Sequence, residues 1–186
     1  MYIGNEPLSV GGDEIGVTVN DFWRWAFSDF SSPMIRETFA EFLVASSLDL
    51  ISDGQKQSKP DFDLLWNPSG NHSGVRIGVK SAAYLQSNDG EYPDRVAFHF
   101  PDFSENQACD VYIFCVFKAL SQNESPFNTD LWEFYSVRGQ DIKNIKNNKN
   151  INILNKIPLS VLTRLEPIWS DYYGIAGAIS TVLSNA

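Results

Sequence analysis

The chain has 186 residues, 43% hydrophobic and 13% aromatic, with 23 acids against 14 bases and a formal net charge of −9. That composition excludes a disordered or collagen-like chain and is ample for one domain with its own core. It also argues against a protein that coats nucleic acid through bulk positive charge. The longest uninterrupted apolar run, residues 111–117, falls far short of the ~20 residues a membrane helix needs. No basic residue precedes Arg24, so the positively charged start of a secretory signal is missing. Two cysteines, Cys109 and Cys115, cannot form a disulfide scaffold. The expectation is a reduced, cytoplasmic protein with no membrane segment.

In chain order, residues 1–16 are Gly-rich and unpatterned and read as a flexible N-terminal arm, with residues 17–186 as a single domain. Thr18, Asn20 and Asp21 offer capping side chains to a helix in which Phe22, Trp23, Ala26, Phe27 and Phe30 recur at helical spacing. The aromatic group Trp23, Trp25 and Phe27 reads as core rather than as a base-stacking platform. Ser32-Pro33 starts a second helix, with Ser as N-cap and Pro in the first turn. Ile35, Phe39, Phe42 and Leu43 line one side, Val44 and Leu48 the other, so this helix should be buried. Glu37 and Glu41 sit one turn apart on that second side.

From residue 61 the hydrophobic period becomes two. Phe62, Leu64 and Trp66 fall on one face of a strand, Asp61 and Asp63 on the other. A turn cluster at 67–74 leads to a second strand, with Val75, Ile77 and Val79 inward and Arg76, Gly78 and Lys80 opposite. The pair predicts a hairpin. Further strands follow at 95–100, at 111–117 (apolar throughout, as in a central strand) and at 131–137. An Asn/Lys/Ile-rich stretch at 143–155 reads as an exposed loop, and a helix near 158–166 and a Gly/Ala-containing apolar segment at 172–183 close the chain. The order indicates an α/β or α+β fold with a mixed sheet flanked by helices.

The acids are concentrated early. Residues 121–186 carry six of each sign, and residues 138–156 hold Arg138, Lys143, Lys146, Lys149 and Lys156 against Asp141 alone. Lys143, Lys146 and Lys149 are the candidate DNA-facing residues, although a solvated loop explains the strip more simply. His72 and His99 lack metal-ligand spacing, and the cysteines have no adjacent histidine motif.

One constellation has a mechanism. Residues i and i+2 on a strand share a face about 6.5–7 Å apart, so acids on one hairpin strand and a lysine on its neighbour can converge. Two carboxylates and a main-chain carbonyl suit Mg²⁺ or Mn²⁺. The lysine would then orient or deprotonate an attacking water and stabilise charge on phosphate.

The segments at 21–28, 40–45 and 62–64, and above all Val79-Lys80-Ser81-Ala82-Ala83-Tyr84-Leu85-Gln86, stand in an order that resembles uncharacterised bacterial proteins of the restriction-endonuclease-like, PD-(D/E)xK, superfamily. The resemblance covers residues 17 to 117. It implies a restriction-endonuclease-like sheet, a Mg²⁺-dependent DNA endonuclease activity, and a site made of Asp63, Lys80, the helix carboxylate Glu41 and the polar Gln86. Asp63, Glu41 and the Val79 carbonyl would be the metal ligands, and Arg36 would match an arginine one turn before the helix glutamate.

The pattern is broken at Gly78, where the motif's acid should stand; glycine offers no ligand atom. Asn88 also replaces a tryptophan common after the Gln-Ser pair. The expectations are therefore a site with weakened metal affinity, or a catalytically inactive nuclease-fold protein acting as a DNA- or protein-binding subunit of a restriction or defence system. A homodimer would suit the cutting of two strands.

Overall fold

In a computed structural model the described residues are 2–51, 56, 61–68, 74–85, 96–100, 109–121, 123–147 and 156–185. The stretch to residue 16, expected as an unpatterned arm, instead enters two antiparallel strands, β1 (Pro7–Val10) and β2 (Asp13–Thr18). The turn between them needs Gly11 and Gly12, both at positive φ. Helix α1 (Val19–Phe27) starts where the capping signal places it: Thr18 and Asp21 bond reciprocally in a capping box. Helix α2 (Pro33–Ser47) begins with Ser32 as N-cap and Pro33 in its first turn.

Strand β3 (Leu64–Trp66) pairs antiparallel with β4 (Val75–Ala83), as the alternation predicts. Beyond it come β5 (Ala97–His99), β6 (Val111–Phe117) and β7 (Trp132–Arg138). The remaining elements are α3 (Gly139–Asn147), β8 (Lys156–Pro158), α4 (Leu159–Leu162), β9 (Ile168–Ser170) and α5 (Ile175–Ser184). The main sheet is mixed, five-stranded, in the order β3-β4-β6-β7-β9. Only β4 and β6 run parallel, while β5 and β8 form a small sheet of their own. The fold is α+β.

The core lies on both faces of that sheet. Val111, Ile113 and Cys115 point to the side covered by α2 and α5, where they meet Ala40, Leu43, Val44, Ile175 and Ile179. Tyr112, Phe114 and Val116 point to the other side, against Phe98 and Phe100 around β5, Ile142 of α3, Ile157 of β8 and Leu162 of α4. Strand β6 is thus central and buried on both faces, as its unbroken apolar run requires.

Three expectations change. The stretch beginning at 143 is not all loop: α3 runs to Asn147 and buries Ile142 and Ile145, three residues apart on one helical face. The aromatics of α1 are not core. Phe22, Trp23, Trp25 and Phe27 are exposed, Trp25 to 83%, and no residue of β1, β2 or α1 joins either core cluster. Phe62 and Leu64 do not share a face, since Leu64 enters the α2-side core while Phe62 packs against the opposite one. Among the described residues no helix is long and apolar enough to cross a membrane.

Candidate active site at the free edge of the sheet

Strand β3 is short and pairs with β4 only at residues 75–77. Past that point, among the described residues, β4 has no main-sheet neighbour on its outer side. Asp63 stands where β3 begins. Its backbone N–H donates to the Ile77 carbonyl (3.0 Å), and its carboxylate Oδ2 accepts from the Val79 N–H at 2.7 Å. The side chain takes the donor that a continuing strand's carbonyl would have taken. The regular alternation breaks here, and Phe62 lies on the opposite face from Leu64.

Lys80 alternates with Val79 and pairs in register with Phe114 of the far core. Its stem nevertheless wraps the free edge to reach α2, where Nζ donates to Glu37 Oε1 at 3.0 Å and lies 5.8 Å from the centre of the Phe100 ring. Burial acts to lower the pKa of Lys80. The charges of Glu37, Asp63 and Glu41 and the Glu37 hydrogen bond outweigh it, so the pKa is raised. The group is an ammonium at neutral pH.

Glu41, one turn beyond Glu37, is almost wholly buried. Its carboxylate contacts the Lys56 ammonium rather than Arg36 or Lys80, the partners its helix position suggests. Burial raises its pKa. The Lys56 hydrogen bond opposes this, the charge of Asp63 adds to it, and Lys80 opposes it more weakly. Asp63, Glu41 and Lys80, predicted to converge, do lie within each other's electrostatic reach, joined by Glu37 and by Lys56. Nothing in the sequence around Lys56 marked it.

The other expected residues fare differently. Gln86, Asn88, His72 and Lys149 lie outside the described residues, as does the side chain of Lys146. Lys143 is half-buried on α3, and its charge acts on Asp110, which Arg76 already holds at 2.7 Å. His99 is exposed on β5. Cys115 is fully buried in the core.

At Gly78 the surroundings leave no room for a side chain. A Cβ there would lie 2.5 Å and 2.6 Å from the Cε1 and Cδ1 atoms of the Tyr112 ring and 3.0 Å from Cys109 Sγ. The space that a side chain at position 78 would take is filled by the Tyr112 ring. Tyr112 and Cys109 share a hydrogen bond, and Cys109 Sγ also donates to the Asp61 carbonyl at 3.5 Å. Burial pushes the Cys109 thiol up to about 11 and raises Tyr112 as well, so both stay neutral.

As donors, Asp63, Glu41 and the Val79 carbonyl form a hard-oxygen set of the kind Mg²⁺ prefers. Among the described residues, no three His, Cys, Asp or Glu side chains are grouped to hold an ion by themselves. Any ion here would therefore depend on main-chain oxygen and water. No family model matches the chain, and no curated protein sequence matches it significantly.

Proposed function

We propose that this edge is the site of a Mg²⁺- or Mn²⁺-dependent phosphodiesterase acting on DNA, carried on a restriction-endonuclease-like domain. The supporting observation is geometric and electrostatic: the strand-edge carboxylate of Asp63 bonds the Val79 N–H within reach of Glu41, a buried helix carboxylate whose pKa is raised by burial and further by the Asp63 charge, beside a buried, charged Lys80. Two carboxylates in one field call for a cation, and the motif around Lys80 matches one chemistry that uses it. Asp63, Glu41 and the Val79 carbonyl would hold the ion, which when bound supplies a more acidic water and neutralises phosphate charge.

The residues divide the remaining work. Lys80 is held as an ammonium, so it serves by donating to a phosphate oxygen or the attacking water and not by removing a proton. Glu37 fixes its direction. Low ion affinity is expected, because Gly78 adds no ligand and Lys56 already neutralises Glu41.

Calorimetric Mn²⁺ titration and a plasmid-nicking assay test this on the natural chain, Asp63→Asn and Lys80→Ala. The expected result is weak ion binding lost in Asp63→Asn, and nicking lost in both variants. An unmodified chain that neither binds the ion nor nicks DNA overturns the reading.

A second reading has its own observation. Tyr112 closes the slot above Gly78, and both lysines are already paired, which suits a non-catalytic DNA- or protein-binding subunit of a defence assembly. DNA binding would then persist without metal. On an acidic protein it would be weak and steeply salt-dependent, and it would fall on neutral substitution of Lys143, Lys146 and Lys149 if that strip contributes.

A further inference from the structure

Among the described residues Arg36 is a buried cation with no ion-pair partner. Only 6% of the residue is exposed, and its Nε has no hydrogen-bond partner. Among the described residues it forms no ion pair: Glu37 is held by Lys80, Glu41 by Lys56, and the Asp29 carboxylate is turned onto Ser31, accepting from its N–H at 3.0 Å and its hydroxyl at 2.6 Å. A buried guanidinium without a counter-charge is costly, so an anion is expected nearby.

The direction of the side chain says where. Nη1 donates to the Ser31 carbonyl at 3.4 Å, so the guanidinium folds back from α2 toward the start of its own helix. That start is open. Ser32 makes no side-chain capping bond, Pro33 has no N–H, and the first turn carries no acidic residue. The free backbone donors and the positive end of a 15-residue helix dipole therefore meet the unsatisfied face of an arginine.

We infer that the N-terminus of α2 and Arg36 together form a binding site for a phosphate group. Arginine's planar fork matches a phosphate's oxygens and the helix start supplies further donors. Arg36 and Glu41 are five residues apart, about 7.5 Å along the helix axis, and the Arg36 guanidinium turns toward the helix start, away from Glu41. That the phosphate belongs to a DNA strand rests on the function proposed above; the anion site itself does not. Burial also lowers the Arg36 pKa, with Glu37 opposing it, in keeping with a charge that lacks compensation.

The test uses the full chain and inorganic phosphate, with chloride at equal ionic strength as control. Phosphate should raise the unfolding midpoint beyond the chloride effect and shift the amide resonances of Met34 and Ile35 and the Nε resonance of Arg36. Arg36→Met should abolish the gain, and Arg36→Lys should weaken binding about tenfold or more, since lysine lacks the fork. A 5′-phosphorylated oligonucleotide that outcompetes its 5′-hydroxyl twin identifies a terminal phosphate; equal binding of the two, both dependent on Arg36, identifies a backbone phosphate. If the variants do not fold, the resonances of the natural chain decide alone. Absence of any phosphate-specific shift, or phosphate binding that survives Arg36→Met, overturns the inference. Phosphate binding without Mn²⁺ binding or nicking would keep this site and discard the nuclease. Nicking without phosphate binding would do the reverse.

Discussion

Helices α1 and α2 are neighbours in the chain, and both are rich in aromatic and aliphatic residues. Both also begin at the residue their capping signals indicate. Yet α2 is built into the core, with Ala40 and Val44 fully buried, while α1 buries nothing and leaves Trp25 almost free. The difference lies outside either helix. Helix α2 lies on β4 across one face of a sheet whose facing residues, Ile77, Val79 and Ile113, are all apolar. Helix α1 follows a two-stranded hairpin that has no core to offer, and such hairpins are marginal by themselves. Helicity is a local property, whereas burial depends on what the rest of the chain places opposite.

The largest effect should separate the two helices directly. Leu43→Ala on α2 removes a side chain 5% exposed and should cost about 2–5 kcal/mol by cavity formation. Trp25→Ala on α1 should stay within about 0.5 kcal/mol, as a surface change does. Urea unfolding monitored by circular dichroism measures both. A Trp25→Ala loss as large as that of Leu43→Ala would mean that something covers α1.

Next is the Gly78 slot. Gly78→Ala puts a methyl group against the Tyr112 ring and should destabilise by about 1–3 kcal/mol, an overpacking cost. In a Tyr112→Ala background the same change should be near neutral or favourable, because glycine in a strand interior is itself costly by about 0.5–1 kcal/mol. The double-mutant cycle reads the coupling. Gly78→Glu, the change that would restore the motif's acid, meets the same ring, so room for its carboxylate requires the tyrosine to leave. Additive single effects would show that the ring moves aside freely.

The contrast between what was legible and what was not follows the same local and non-local division. The β3–β4 hairpin, the buried β6 and the α1 cap were readable because alternation, an unbroken apolar run and a Thr-x-x-Asp box each act within a few residues. The convergence of Asp63, Lys80 and Glu41 was readable only through the motif. Helix α3 could have been found from Ile142 and Ile145, but its Asn/Lys composition masked that spacing. Three-residue strands such as β8 and β9 carry too little pattern to detect. The Tyr112 ring over Gly78 and the Lys56 contact to Glu41 join residues far apart in sequence, and Arg36 has no ion-pair partner among the described residues; no local signal encodes these.

A smaller effect concerns the pH response of α2, for which α1 has no counterpart. Glu41 has a raised pKa in the folded protein. The folded state therefore holds its proton to higher pH than the unfolded chain, whose glutamate titrates near about 4.3. Between the two values the folded state binds more protons, so stability falls as pH rises and stays lower above the folded value. Glu41→Gln removes that loss. It leaves Lys56 unpaired but 42% exposed, where lost pairing costs little. The variant should gain stability relative to the natural chain on going from pH 4 to pH 7, as read by thermal midpoints at each pH. A constant difference across that range would show that burial does not burden Glu41.

The smallest global effect should come from the α1 cap. Thr18 accepts from the Asp21 N–H at 3.4 Å and donates to Asp21 Oδ2 from its own N–H at 2.9 Å and its hydroxyl at 2.8 Å. Thr18→Ala removes the hydroxyl's part of that exchange, a loss of about 0.5–2 kcal/mol to the helix. In α2 such a loss would be felt by the whole core. In α1 it should remain local, because no α1 residue joins either core cluster and weakly attached elements open by sub-global unfolding. Amide hydrogen exchange should therefore speed up across residues 19–27 while β4, β6 and β7 keep their protection and the global midpoint barely moves. If the global midpoint falls in step with α1 protection, the hairpin and α1 are coupled to the sheet, and the contrast between the two helices would be one of exposure and not of cooperativity.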